Sequence, residues 1–561
     1  DGVRQQHGAR RHGCPNSPVY RDYCAQIVQV LAKEFGKDPN IIGWQIDNEL
    51  YFSTPRGCCC PVCHQKFQQA MKARFGTIEA LNAAWGMDLW SQTYQSFDQL
   101  PIPLSRTWHH PSLLTAWMVF QSDSYVDFCN HQADLLHKAV KQPVGTDMMP
   151  FSGVNYQHIH EKLDLVQYNH YHGMENFWEN AFWCDFIRPL KPAPFWNTET
   201  ATCWGGATTA NGYKEPGFCR ANSWLPLAMG GEANLYWLWR SHWSGQELMH
   251  GSVVTSAGRP MHIFDEVQEI SRGFDAVREF LNGTRPIQTG VALHFSGFAW
   301  WLFEFQPLVH GFHYAASLMR QVYHPMIEVQ LRPDVIDPAS SLDGYRLLFS
   351  PFLPALDEAG LKDRLRAWIE SGGVWVVGPM SDIRTMEATK FRHAPFGVLE
   401  DWAGIRCDYD IPGDPRQFSL QWSDSTPSEG SIWYHGLKTV DAEVLATYTE
   451  GPFEGLAAVT TKKLGKGRII VLGTLPTPED LKSVLLTIAQ EAGVSPVADA
   501  TGNLMVVPRE GKAGKGMILV EMLNQTASIT LREPVTDLLT GKTHSGMVDV
   551  PPYGVLVLKK A

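Results

Sequence analysis

No stretch of the 561 residues approaches the roughly 20 consecutive apolar residues that a membrane-crossing helix needs. There is no basic excess either. Lys and Arg number 47 against 58 Asp and Glu, a net charge of −11, so a nucleic-acid partner is not expected. The first thirty residues lack the charged, apolar and small-residue succession of a secretory signal. Residue 1 is Asp rather than Met, which reads as a processed chain or a piece of a longer one. A regular disulfide framework is also missing. Eleven cysteines is an odd number, and Cys58, Cys59, Cys60 and Cys63 crowd together in the manner of metal ligands, which points to a reducing, cytoplasmic location.

What is present is an ordinary globular composition, 44% hydrophobic and 19% charged, long enough for three or four domains. The 20 Trp are conspicuous. Surplus Trp lines sugar clefts or fills cores, and composition does not separate the two.

Residues 1–285 alternate short apolar strands with amphipathic helices. Strands are expected over 41–47, 143–148, 163–169, 194–198 and 233–239, and helices over 18–35, 61–75, 112–140 and 262–281. That alternation implies a parallel sheet, and polar residues just after the strands fit a (β/α)8 TIM-type barrel, whose chemistry sits at the C-terminal strand ends. Five strands are visible instead of eight. At roughly 30 residues per βα unit, about 90 residues of barrel are expected to precede Asp1. Residues 286–495 read as a second α/β domain, with a strand–helix–strand unit over 347–378, one cysteine (Cys407) and no phosphate loop. A structural or oligomerisation role is expected for it. Residues 496–561 read as a small β-sandwich.

The run Trp44-Gln45-Ile46-Asp47-Asn48-Glu49 ends a buried strand with an Asn-Glu pair. Sugar-cleaving barrels need a Glu that acts as general acid and then base, beside an amide that holds the sugar 2-hydroxyl. Most Asn-Glu pairs elsewhere are turns or helix starts. Phe195-Trp196-Asn197-Thr198-Glu199 supplies a second strand-end carboxylate, suited to a nucleophile, although a salt-bridged surface Glu reads the same way. Glu247 and His250 stand three apart after the strand 233–239 and would share a face of a helical turn, or lie in a plain polar loop. Cys58, Cys60 and Cys63 offer three thiolates. Cys14, in another loop of the same barrel rim, is the candidate fourth, and Cys59 points elsewhere. Four protein ligands leave no open position, so the metal would be structural zinc.

These residues resemble family 42 of the glycoside hydrolases, the β-galactosidases. The resemblance is carried by Gly8-Ala9-Arg10-Arg11-His12-Gly13-Cys14-Pro15-Asn16-Ser17-Pro18-Val19-Tyr20-Arg21, the Asn48-Glu49 strand end and Cys58-Cys59-Cys60-Pro61-Val62-Cys63. Further matches are Phe75-Gly76-Thr77-Ile78-Glu79-Ala80-Leu81-Asn82, Trp85-Gly86, Leu89-Trp90-Ser91-Gln92, Trp239-Arg240 and Gly245-Gln246-Glu247-Leu248-Met249-His250. The match is collinear from residue 8 to about 281. It implies Glu49 as acid/base with Asn48 as its partner and Glu199 as nucleophile. It also implies Arg10, Glu247 and His250 as sugar contacts, and a four-thiolate zinc site of Cys14, Cys58, Cys60 and Cys63. The family's further implications are an amidotransferase-like trimerisation domain, a homotrimer, a C-terminal β domain and a β-galactoside substrate.

Two departures stand out. The family usually carries Gln, Pro-Gly and Asn-Trp after its nucleophile, whereas here the run is Glu199-Thr200-Ala201-Thr202-Cys203-Trp204-Gly205-Gly206, with Trp204 as a candidate sugar platform. The family's three first βα units have no counterpart. The leading reading is a retaining exo-β-galactosidase. An α-L-arabinopyranosidase and a non-catalytic sugar-binding scaffold are the alternatives.

Overall fold

The computed structural model describes residues 3–8, 12–50, 56–104, 108–150, 153–173, 175–206, 210, 212–413 and 416–560. Each of the five expected apolar runs contains a parallel strand segment. They are β1 (Trp44–Gln45), β2 (Val144–Gly145) with β3 (Asp147–Met148), β4 (Gln167–Asn169), β5 (Trp196–Glu199) and β6 (Ala233–Asn234). β1 pairs with β2, and β3–β4–β5–β6 pair in order, all parallel. β2 and β3 are halves of one run, interrupted at Thr146, whose hydroxyl donates to the Ile46 carbonyl at 2.7 Å. Strand order in space therefore follows chain order, as in a (β/α)8 wall. The ladders are shorter than the apolar runs. Asp47 turns the chain away at φ 58°, and beyond Asn234 only single bonds continue, such as Trp237 N–H to the Thr200 carbonyl.

Helices flank this wall. The first, Pro18–Phe35, begins with Pro at its first position and with the Ser17 hydroxyl accepting the Tyr20 N–H. It buries only Ala32, leaving Val19, Tyr23, Ile27, Val30 and Phe35 exposed along one stripe. Pro61–Phe75 and the long Pro111–His137 pack through Phe67, Trp117 and Phe120, with ring centroids 5.0 to 5.6 Å apart. The single helix expected over 262–281 is two, Phe264–Ala276 and Arg278–Gly283, broken where Val277 leaves helical geometry (φ −114°, ψ 14°).

The second sheet has the expected unit Leu347–Ser350, helix Leu361–Ser371 and Val374–Val377, the helix closed by Gly372 at φ 130°. Parallel strands run in the order Asp334–Ile336, Val291–His294, Leu347–Ser350, Val374–Val377, Gly467–Leu472, and the sheet continues through antiparallel strands. The C-terminal region is all-β, one antiparallel sheet joined at its edge by Thr284–Pro286. Its strands alternate strictly. Leu504, Val506 and Leu519 enter one small core, while Met505, Val507 and Ile518 face the main core.

Buried ions join these sheets. Asp185, on helix Phe177–Ile187, holds Arg188 at 2.7 Å and Arg332 at 2.9 Å and accepts the Tyr323 hydroxyl at 2.6 Å. The buried Arg509 guanidinium donates to the carbonyls of Leu227, Ala228, Leu281 and Thr284, closing the C-terminus of helix Phe218–Ala228, the favourable end for a cation.

One buried carboxyl beside the second sheet, in the turn before helix Leu361–Ser371, makes a stability prediction. Glu358 accepts the Ser296 hydroxyl at 2.6 Å, and burial, reinforced by Asp337, raises it to about 8. A carboxyl raised on folding stabilises the fold at low pH and loses that contribution as pH rises towards the folded value. The isosteric Glu358→Gln is therefore expected to gain melting temperature over the wild type as pH rises from about 5 to about 8, the gap levelling off above that. Thermal unfolding across pH measures it.

Candidate active site

Asp47, Asn48 and Glu49 follow β1 at its C-terminal end. Asp47 and Glu49 both stand in the left-handed region, at φ 58° and 50°. Such geometry costs on the order of 1 kcal/mol or more per residue and persists where surrounding bonds hold it. The bond that holds Glu49 comes from β3, where Asp147 Oδ1 accepts the Glu49 N–H at 2.9 Å. The Asn169 amide at the end of β4 donates to Asp147 Oδ2 at 2.7 Å and to Glu49 Oε1 at 3.3 Å. Glu49 and Asp147 are both buried. Burial raises Asp147 to about 6 against the opposing pull of the Glu49 N–H and Asn169 bonds. Asn48 lies exposed beside Glu49, its side-chain oxygen within 3.5 Å of Gln45 Nε2.

Glu199 closes β5. Its Oε2 accepts the Tyr171 hydroxyl at 2.6 Å. Burial raises the carboxyl to about 7, the Tyr171 bond opposes this, and the charges of Glu49, Asp147 and Glu247 add to the rise. The structure thus brings the two carboxylates singled out in the sequence to one electrostatic neighbourhood at the C-terminal strand ends.

Glu247 and His250 face the same site from the loop after β6. They lie in a hydrogen-bonded turn and not a helix, with His250 N–H to the Glu247 carbonyl at 3.1 Å. The Glu247 carboxylate accepts Trp237 Nε1–H at 3.1 Å. The His250 ring meets Tyr171 edge-on at 5.5 Å, and burial lowers its pKa, favouring the neutral ring. Trp204 is fixed by Nε1–H to the Met249 carbonyl at 2.9 Å and lies parallel to His262. A cavity of about 440 Å³, lined by Tyr171, Glu175, Gly205, Tyr213, Lys214 and His250 among others, opens beside these groups. Its size suits a small ligand. Arg10 lies outside the described residues.

The surplus Trp are divided between the two ends of the wall and the core. Trp44 and Trp196 bond to Gln142 and Glu232, which precede β2 and β6, so they sit at the opposite, N-terminal end of the wall. Trp85, Trp117, Trp183, Trp224 and Trp375 are fully buried and account for part of the surplus as core. Asp147, Asn169 and Tyr171 were not singled out in the sequence. The only signal for them is a polar residue directly after each buried run, in Gly145-Thr146-Asp147 and in Tyr168-Asn169-His170-Tyr171.

The cysteines behave as their spacing predicts. The sulfurs of Cys14, Cys58, Cys60 and Cys63 all lie within 4.8 Å of one another, with Cys14 at 3.5 Å from Cys60 and 3.4 Å from Cys63. Thiolates on one tetrahedral ion, at about 2.3 Å each, stand about 3.8 Å apart, so this set could hold a metal ion. The Cys59 thiol turns away, towards the carbonyls of Arg56 and Gly57. Crowding raises Cys14 to about 12 and raises Cys63 as well, while bonds from its neighbours hold Cys58 down. All eleven cysteines are free thiols.

The Glu199 geometry is testable on its own. Tyr171→Phe removes the donor that favours the ionised carboxylate, so Glu199 is expected to titrate above its present value of about 7. Carbon-13 NMR of the labelled carboxyl reads the shift, and an unchanged or lower value contradicts the hydrogen bond.

Comparison with known proteins agrees along the whole chain. The β-galactosidase family profile matches residues 1–277, the β-galactosidase trimerisation domain residues 289–495 and the β-galactosidase C-terminal domain residues 504–560. β-Galactosidase YesZ of Bacillus licheniformis is 32% identical over 566 residues, 99% of this chain and 84% of that protein. YesZ of Bacillus subtilis is 32% identical over 561 residues, with the same coverage. Among solved structures, the β-galactosidase of Bacillus circulans sp. alkalophilus has a TM-score of 0.92 at 24% identity, covering 99% of this chain and 84% of that one. The chain belongs to family 42 of the glycoside hydrolases, the β-galactosidase family.

Proposed function

We propose that the protein is a retaining exo-β-galactosidase, with Glu49 as acid/base and Glu199 as nucleophile. The observation that carries this is the pair of carboxylates at the C-terminal ends of β1 and β5, with the charge of Glu49 raising Glu199. Glu199 attacks the anomeric carbon while Glu49 protonates the leaving oxygen. A galactosyl-enzyme forms, and water that gives its proton to Glu49 releases galactose. Tyr171 holds the Glu199 carboxylate, and the Asn48 amide binds the sugar 2-hydroxyl. Glu247, His250 and Trp204 form the wall that reads the remaining hydroxyls, with Arg10 as a further contact. Gly205 and Gly206, where the run after Glu199 departs from the family, line the cavity, which favours testing arabinopyranosides beside galactosides.

The same reading divides the chain into a catalytic barrel domain at 1–285, a trimerisation domain at 286–495 and a β domain at 496–561, with the protein a homotrimer. The four cysteines hold structural zinc, which supplies cross-linking and no chemistry at the sugar. Free thiols throughout support a cytoplasmic location.

Glu49→Ala is expected to lower turnover of an unactivated β-galactoside by about 10² to 10⁴. Glu199→Ala should bring hydrolysis to background, and undiminished hydrolysis of an aryl β-galactoside by that variant refutes the assignment. Metal analysis should find one zinc per chain, and Cys63→Ser should lose it together with several degrees of melting temperature. Native protein free of zinc rejects the metal site.

A further inference from the structure

The double displacement leaves one buried carboxyl at the site unused. Asp147 is fully buried at the start of β3. Its Oδ1 accepts the Glu49 N–H at 2.9 Å and its Oδ2 accepts Asn169 Nδ2 at 2.7 Å. The same Asn169 nitrogen reaches Glu49 Oε1 at 3.3 Å, and Asn169 Oδ1 accepts the Thr198 hydroxyl at 2.9 Å, one residue before Glu199. One amide on β4 therefore touches groups from three other strands of the wall.

We propose that Asp147 is the positioning residue of the acid/base, acting through the Glu49 N–H and the Asn169 amide; this rests on Glu49 being the acid/base. Two geometric facts support it. Glu49 stands at φ 50°, a conformation a glutamate does not keep unaided, and Asp147 anchors its N–H. A primary amide can also turn over and exchange its oxygen and nitrogen. Between a carboxylate on one side and a hydroxyl on the other, Asn169 keeps its nitrogen towards Asp147, and thereby towards Glu49 Oε1. With Oε1 engaged as an acceptor, the proton belongs to Oε2. From there it passes to the leaving glycosidic oxygen, and the attacking water replaces it in the second step.

The test uses methyl and 2,4-dinitrophenyl glycosides of the accepted sugar. The first leaving group needs protonation and the second does not. Asp147→Asn keeps an acceptor for the Glu49 N–H but sets an NH2 group against Asn169. Asn169→Ala removes the link from the other side and carries the test if the first variant does not fold. In both, kcat/KM on the methyl glycoside is expected to fall at least about 100-fold, and on the dinitrophenyl glycoside by less than about tenfold. KM on the latter should drop as glycosyl-enzyme accumulates, and azide, which attacks without a base, should restore turnover. Equal losses on both substrates with no response to azide overturn the proposal. Glu49→Ala on the same pair separates the two claims. If it shows the leaving-group and azide signature and the other variants do not, the positioning role alone fails. If it shows none, the acid/base assignment falls and the proposal with it.

Discussion

Several buried and half-buried carboxyl groups gather where the parallel strands end, and much of the site follows from keeping them there. Glu49 follows β1, Asp147 opens β3 and Glu199 ends β5, and Glu247 adds its charge from the loop after β6. Burial and like charge both push such groups towards protonation, so each one needs donors. The donors are the Glu49 N–H, the Asn169 amide, the Tyr171 hydroxyl and the Trp237 indole. Parallel strands about 4.8 Å apart set their C-terminal ends side by side, so groups distant in sequence arrive at one level. The irregular backbone lies at that level too: the positive φ of Asp47 and Glu49, and the register shift between Tyr168 and Asn169 opposite β5.

Strands of two to four residues do not hold such a site by their ladders alone. The wall is backed by rings. Phe182, Trp183 and Phe186, on the helix that follows β4, pack edge-on against Phe295 of the second sheet's region, and Phe182 meets Tyr323. Beside those rings Asp185 gathers Arg188, Arg332 and Tyr323. A buried ion cluster is a weak source of net stability but a strict one of geometry, because a displaced partner leaves a charge uncompensated. The trimerisation region is therefore part of the support of the catalytic wall, in addition to any role between subunits.

How far the sequence could be read depends on whether the signal was local. Five apolar runs marked five strands because a buried parallel strand needs little besides β-branched and aromatic residues. Glu49 and Glu199 were legible because they end such runs, and Cys58, Cys60 and Cys63 because close spacing brings their thiols together, whereas Cys14 needed the barrel rim to place it. Asp147, Asn169 and Tyr171 were not, since one polar residue after a buried run looks the same whether it meets substrate, water or another strand. The break at Val277 lies in an unbroken amphipathic pattern, and tertiary packing decides it. Proximity in sequence is no guide to proximity in the fold here. Trp44 is five residues from Glu49 and Trp196 three from Glu199, yet both sit at the far end of the wall, because the rise along even a short strand separates its two ends.

The cysteine cluster obeys the same constraint as the carboxylates, with a different solution. Four thiols whose sulfurs lie within 4.8 Å cannot all ionise against one another, and Cys14 and Cys63 are accordingly raised. At the strand ends hydrogen-bond donors balance the charge. At the cysteines a cation would do so, and it would bind a particular piece of chain. Cys14 precedes the helix Pro18–Phe35 and β1, and Cys58 follows the Glu49 turn, so the cluster closes a loop around the unit that carries Glu49. Closing a loop of that length removes many conformations from the open chain. It does so on the unit whose helix buries only one residue and whose strand pairs on one side alone among the described residues. A lightly packed unit is thus the one that a cation held by the four cysteines would cross-link.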